Sequence, residues 1–234
     1  MTAIYQREMR SYLTSAVGYV FLAVFYAIAG YYFFATSLVS NSTDLSYVFS
    51  NLFSIVIFLV PMLTMRLFSE ERRQKTEQAL FTAPVSFTGV VMGKFLACLT
   101  MYLLGMGVTL LYFLVMCAFQ IPDVAVFCGN FLGLFLLGAA LCAIGIFISS
   151  LTESQVIAAV GSLAIGLFLL FANSFTPVVS SEWINAVMDG ISFYQHYLDF
   201  TRGLFNLSDL IFFISVTALF LFLTVRHLER RRIS

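Results

Sequence analysis

Uncharged, apolar positions fill this chain in blocks separated by short polar stretches. Six intervals contain no Asp, Glu, Lys or Arg: Ser11 to Thr43, Leu45 to Met65, Phe95 to Pro122, Val124 to Thr152, Ser154 to Ser181 and Leu210 to Val225. A helix needs about 20 apolar residues to cross the hydrocarbon core of a bilayer, so each interval predicts one membrane span. The expected spans are residues 17–39, 45–65, 88–119, 124–150, 154–176 and 210–226.

The segments between these blocks carry patterns of their own. Ahead of the first span, Tyr5, Met9, Tyr12, Leu13 and Ala16 recur at helical spacing while Arg7 and Arg10 fall elsewhere on the wheel. That spacing predicts an interfacial helix over 4–16 that meets the first span at an elbow. Between the second and third spans, Ser69 can cap a helix whose first turn holds Glu70 and Glu71, where the helix dipole favours negative charge. Arg72, Arg73 and Lys75 follow and Pro84 ends the stretch, predicting a short charged helix over 70–81. A solvated loop would carry the same charges. After the fifth span, residues 177–209 are too long for a turn and too apolar for an ordinary loop. Trp183, Tyr194 and Tyr197 suit a membrane interface, and Gly190 and Gly203 divide the segment, predicting an external helical hairpin, with an amphipathic surface loop as the alternative.

Together these elements give an all-α integral membrane protein built as one transmembrane domain over residues 1–234. Composition agrees: 61% of residues are hydrophobic, 10% are charged and the mean hydropathy is +0.97, whereas a soluble domain carries about 25% charged residues. Lipid must therefore solvate much of the surface. Six spans put both termini on one side. Arg7 and Arg10, the set Arg66, Arg72, Arg73, Lys75 and Lys94, and the tail Arg226, Arg230, Arg231 and Arg232 then share that side, leaving only Arg202 opposite. The positive-inside rule makes the shared side cytoplasmic, as in a multi-pass protein of the cell (inner) membrane. The first apolar run starts after Arg10 and outlasts a signal-peptide core, so the first helix is expected to stay attached.

Candidate chemistry is sparse. Cys98, Cys117, Cys128 and Cys142 all lie in apolar runs without CxxC pairing and read as small buried hydrophobes. The stretch from Gly89 to Phe95 is one residue short of a phosphate-binding loop and lacks Ser or Thr after Lys94. His196 and His227 fall on opposite sides of the membrane, too far apart to share a metal. His196 could bind an external ligand with Tyr194, Tyr197 and Asp199, or simply pack locally. No span centre holds a charge, unlike an ion-coupled carrier or a charged-ring channel. No catalytic residue, metal site, cofactor or nucleic-acid partner is expected. The spans do hold small residues: Gly129 and Gly133 in the fourth, and Ala158, Ser162 and Gly166 at i+4 spacing in the fifth. Such rows allow close helix contact, either inside one bundle or at a subunit interface.

The loop Arg66-Leu-Phe-Ser-Glu70-Glu71-Arg72-Arg73-Gln-Lys75-Thr76-Glu77-Gln-Ala-Leu80-Phe-Thr-Ala-Pro84, followed by Gly93-Lys94, resembles the loop after the second span of ABC-2 type permeases. The likeness extends to Arg7-Glu8 with Gly18-Tyr19, the Ser149 to Ser154 turn with Glu153, and the external segment with His196, Phe200, Gly203 and Asp209. It is strongest to the compact, gliding-motility-type permeases. The resemblance implies that Glu70, Glu71, Arg72, Thr76, Glu77, Leu80, Pro84 and Glu153 couple to a cytoplasmic ATPase, present in two copies. It also implies a second permease copy or a similar permease, an exporter, and room for an accessory envelope subunit. A membrane scaffold for a motility or envelope complex, or an ATP-independent channel, are the alternatives.

Overall fold

A computed structural model describes residues 1–39, 44–75, 86–119, 122–171 and 190–233, and every regular element among them is helical. Helix α1 spans Thr2–Thr14 and α2 spans Ala16–Tyr32, continuing through a π-helical turn, Phe33–Leu38. Helix α3 (Ser46–Thr64) leads through a turn into the short α4 (Ser69–Arg73). Then come α5 (Phe87–Phe119), α6 (Val124–Leu151), α7 (Gln155–Phe171), α8 (Phe193–Thr201) and α9 (Leu207–Ile233).

The chain bends between α1 and α2 at Ser15, whose backbone is extended. Gly18 makes that bend possible: a Cβ there would lie 2.2 Å from the Tyr12 carbonyl oxygen. Tyr12 is itself buried and donates its hydroxyl to the Leu63 carbonyl at 2.8 Å. One aromatic residue thus pins the amphipathic helix to the end of α3.

Among the described residues, five helices are long and apolar enough to cross a membrane: Ala16–Leu38, Ser46–Arg73, Phe87–Phe119, Val124–Leu151 and Leu207–Arg231. The chain is a multi-pass membrane protein. The fifth of the six expected spans is represented by α7, which is apolar but has 17 described residues, about 25 Å at 1.5 Å per residue. Its expected remainder, 172–176, lies outside the described residues.

Helix α6 is the hub. In its most apolar window 72% of residues are buried, against 17% in α9, so α6 packs on protein on every side while α9 shows lipid most of its surface. Lipid is as apolar as Leu, so close packing must hold the helices together. Small residues provide it. Gly138 of α6 faces the buried Tyr102 ring of α5, and Gly145 faces Thr64 of α3. Gly129 and Gly133 receive Phe200 of α8, placing that row in packing within the chain.

The row Ala158, Ser162 and Gly166 is also turned inward. Ala158 and Ser162 are buried, and a Cβ on Gly166 would lie 3.0 Å from Ile57 and 3.6 Å from Leu141. These contacts lie within the chain.

Candidate functional site at the charged end

Helices α1, α4 and α5 and the α6–α7 turn meet at one end of the bundle, where most of the chain's charges gather. Lys94 lies near the start of α5, and only 1% of its side chain is exposed. An isolated ammonium could not persist there. Its Nζ donates to Glu8 Oε1 of α1 at 3.1 Å and to the Leu67 carbonyl at 2.5 Å. Glu71 Oε2 of α4 lies 3.1 Å away as an ion pair outside hydrogen-bonding direction. The Phe68 ring, 4.9 Å off, closes the remaining side.

A second layer ties the carboxylates together. Arg7 bridges Glu8, at 2.6 Å, and Glu71. Arg66 donates to Ser11 at 2.7 Å and pairs with Glu70 at 3.6 Å. The α3–α4 turn is fixed from α6: Ser149 Oγ accepts from the amides of Phe68 and Ser69, both at 3.1 Å, and donates to the Met65 carbonyl at 3.0 Å. That uses the full bonding capacity of one hydroxyl. Arg72 donates to the Ser150 carbonyl at 3.1 Å and pairs with Glu153 at 3.5 Å. Glu70, Glu71, Arg72 and Glu153 therefore belong to one assembly.

Two sequence expectations change here. Ser69 is not the cap but the first residue of α4, and its hydroxyl bonds back to the Met65 carbonyl. The predicted helix over 70–81 does not run through: α4 ends at Arg73, and Lys75 takes a left-handed backbone, φ 57°, the conformation that terminates helices. Thr76, Glu77, Leu80 and Pro84 lie outside the described residues, as does Trp183.

Burial pushes the Glu8 carboxyl up, but the Lys94 charge and hydrogen bonds from Arg7 and Lys94 outweigh it and hold the group below its ordinary 4.5. A carboxyl depressed in the fold stabilises it fully above the unfolded value and loses that effect as pH falls through the folded one. Glu8→Gln should therefore unfold at a lower temperature than the wild type at pH 7. Thermal unfolding in detergent should show that gap closing as pH falls below 4.5.

The opposite end holds α8. Its His196 is held by Asp209 of α9, Nδ1 to Oδ1 2.6 Å, and its ring stacks 4.0 Å from Phe212. This fastens α8 to α9, matching the local-packing reading; Tyr194, Tyr197 and Asp199 are not its hydrogen-bond partners. Phe200 is buried on α6, and Gly203, φ +72°, lies against Ala125 and Val126 where α8 turns back toward α9.

Sequence reasoning placed Lys94 among the basic residues of one side and in the Gly93-Lys94 likeness, and missed it as the node. The signal was a lone lysine at the edge of a 33-residue apolar helix, together with the acidic partner of an Arg-Glu pair on the amphipathic helix. Through Lys94, Glu8 and Glu71 the assembly holds three helices, α1, α4 and α5, in fixed relation. No curated protein matches the chain closely. A family model does, over residues 2–231, and it shows that the chain belongs to the ABC-2 family of transporter proteins.

Proposed function

We infer that this chain is the permease subunit of an ATP-binding cassette exporter, most like the gliding-motility-type permeases, with α7 serving as a sixth span. In this reading both termini and the charged end face the cytoplasm of the cell inner membrane. The chain pairs with a second copy or a similar permease above two cytoplasmic ATPases, and hydrolysis belongs to those partners. Helix α4, the following loop with Thr76, Glu77, Leu80 and Pro84, and the Glu153 turn receive the ATPase movement and pass it to the bundle. Ala158, Ser162 and Gly166 lie at or beside the contact between the two permeases, and Trp183, His196, Phe200 and Gly203 belong to the external hairpin.

The observation that carries the reading is the buried Lys94 node. It joins α4, through Glu71, to the amphipathic α1 and the long α5, so a push on α4 moves three elements together. This is the rigid transmission a two-state transporter requires. It also decides which residues can test it. Glu71 is held within the chain by Arg7 and Lys94, so reversing it would disturb the fold as well as any partner. Arg73 is exposed and Glu77 lies beyond it. Arg73→Glu combined with Glu77→Lys should leave expression and thermal stability unchanged while reducing ATPase copurification and substrate-stimulated ATP turnover several-fold. Isolated surface charges contribute only about 0–1 kcal/mol to stability, so a scaffold or an ATP-independent channel predicts wild-type behaviour in both assays.

A further inference from the structure

Toward its C-terminal end, the face of α9 turns from apolar to basic. No charge occurs from Leu210 to Val225, and Arg226 and Arg230 then follow about one helical turn apart. Along this stretch α6 and α9 border a cavity of about 540 Å³, a size suited to a small organic group. Phe147 of α6 with Phe222 and Leu223 of α9 forms its apolar part, and Arg226, His227, Glu229 and Arg230 form its polar part. Phe222 and Leu223 are exposed on the chain. Apolar side chains at membrane depth, with guanidiniums at the membrane edge, repeat the layering of a phospholipid.

The charges choose the sign of the occupant. Among the described lining residues Glu229 is the one carboxylate, and it pairs with Arg226 at 3.1 Å. Arg226 is also held over the Phe222 ring, 5.2 Å from its centroid, which sets the guanidinium where the apolar and polar parts join. Its fork has five N–H donors, more than Glu229 uses. Among the described residues Arg230 makes no ion pair. Two guanidiniums against one carboxylate favour an anion whatever the proton state of His227, and the guanidinium fork matches a phosphate. With Glu229 already paired, the lining offers no carboxylate to the amine of a zwitterionic headgroup.

We propose that this cavity holds the headgroup of an anionic phospholipid, with Arg226 and Arg230 donating to its phosphate and an acyl chain lying along Phe222 and Leu223. A free phosphate would engage the guanidiniums and leave the apolar part uncovered, whereas a lipid covers both. The lipid would bridge α9 to the hub helix α6, which it also meets through the Phe147 and Phe220 rings, 5.7 Å apart. The proposal depends on α9 spanning the membrane and not on the coupling role of α4.

The test is native mass spectrometry of the full chain in a nonionic detergent, with phosphatidylglycerol and phosphatidylcholine added in equal amounts. The wild type should retain phosphatidylglycerol in preference, and an excess of glycerol phosphate should not displace it. Arg226→Gln combined with Arg230→Gln should lower that preference about tenfold or more, the effect of two basic residues beside an anionic headgroup. Arg230→Gln alone, which breaks no ion pair, should lower it about fivefold and decides the matter if the double variant does not fold. Arg10→Gln combined with Arg73→Gln removes the same charge from two exposed positions outside the cavity and should leave the preference near the wild type. An equal loss in that control assigns the effect to general attraction and overturns the proposal. Displacement of the lipid by glycerol phosphate overturns it in favour of a free phosphate. An undiminished preference in the Arg226 and Arg230 variants also overturns it, and a concurrent loss of copurifying protein would then assign this face to a protein partner.

Discussion

Lys94→Met is expected to loosen the whole charged end. The substitution keeps length and apolar bulk but leaves Glu8 and Glu71, which the lysine holds at 3.1 Å each, facing each other in a largely dry site. Removing one member of a buried ion pair costs about 3–5 kcal/mol, because the remaining charge stays buried without compensation. Arg7 still bridges both carboxylates, so the loss should fall toward the lower figure. The measured consequence is a lower unfolding temperature in detergent and protease cleavage within α1, which no longer docks. Adding Glu8→Gln and Glu71→Gln should recover much of the stability, since the neutral site has no uncompensated charge. If Lys94 were only a cytoplasmic topology signal, the single change would be nearly silent and the triple variant no better.

Gly138→Ala is the second large effect, and it acts at the centre of the bundle. A Cβ there would lie 2.1 and 2.3 Å from two ring atoms of Tyr102. The ring cannot swing away: Tyr102 is fully buried and its hydroxyl donates to the Leu134 carbonyl at 2.7 Å. Overpacking a core costs about 1–3 kcal/mol and sometimes more, and a pinned ring with no free rotamer places this case at the upper end. Folded yield and unfolding temperature should both fall. Gly107→Ala, where nothing lies within 4 Å of the added carbon, should leave them unchanged. Because the clash is pairwise, Gly138→Ala in a Tyr102→Ala background should cost less than in the wild type, a non-additivity that identifies the contact.

What was legible in the sequence was whatever depends on one stretch at a time. Apolar runs mark the long helices, and Tyr5, Met9 and Tyr12 mark the amphipathic one, because helical spacing is local. Pairings between distant residues were not legible. Lys94 meets Glu8 across 86 positions, and nothing in either neighbourhood distinguishes a buried node from a charge at the membrane edge. The Ser69 cap failed for the same reason: Ser149, 80 residues away, accepts from the Ser69 amide and fixes the turn, while the Ser69 hydroxyl donates back to the Met65 carbonyl. The small-residue row in α7 reads alike for packing within a chain and between chains. His196 could not be matched to Asp209 until α8 was seen folded back on α9.

The coupling reading rests on the charged end being the face that meets the ATPase. A photo-crosslinking amino acid at Lys75, exposed just beyond α4, tests this directly, with the same probe at Asp123 at the opposite end as the comparison. Irradiation of native membranes should yield a covalent product between position 75 and an ATP-binding subunit carrying Walker motifs, and none from position 123. An ATPase captured from position 123, or its absence at 75 while it copurifies with the chain, would contradict the account.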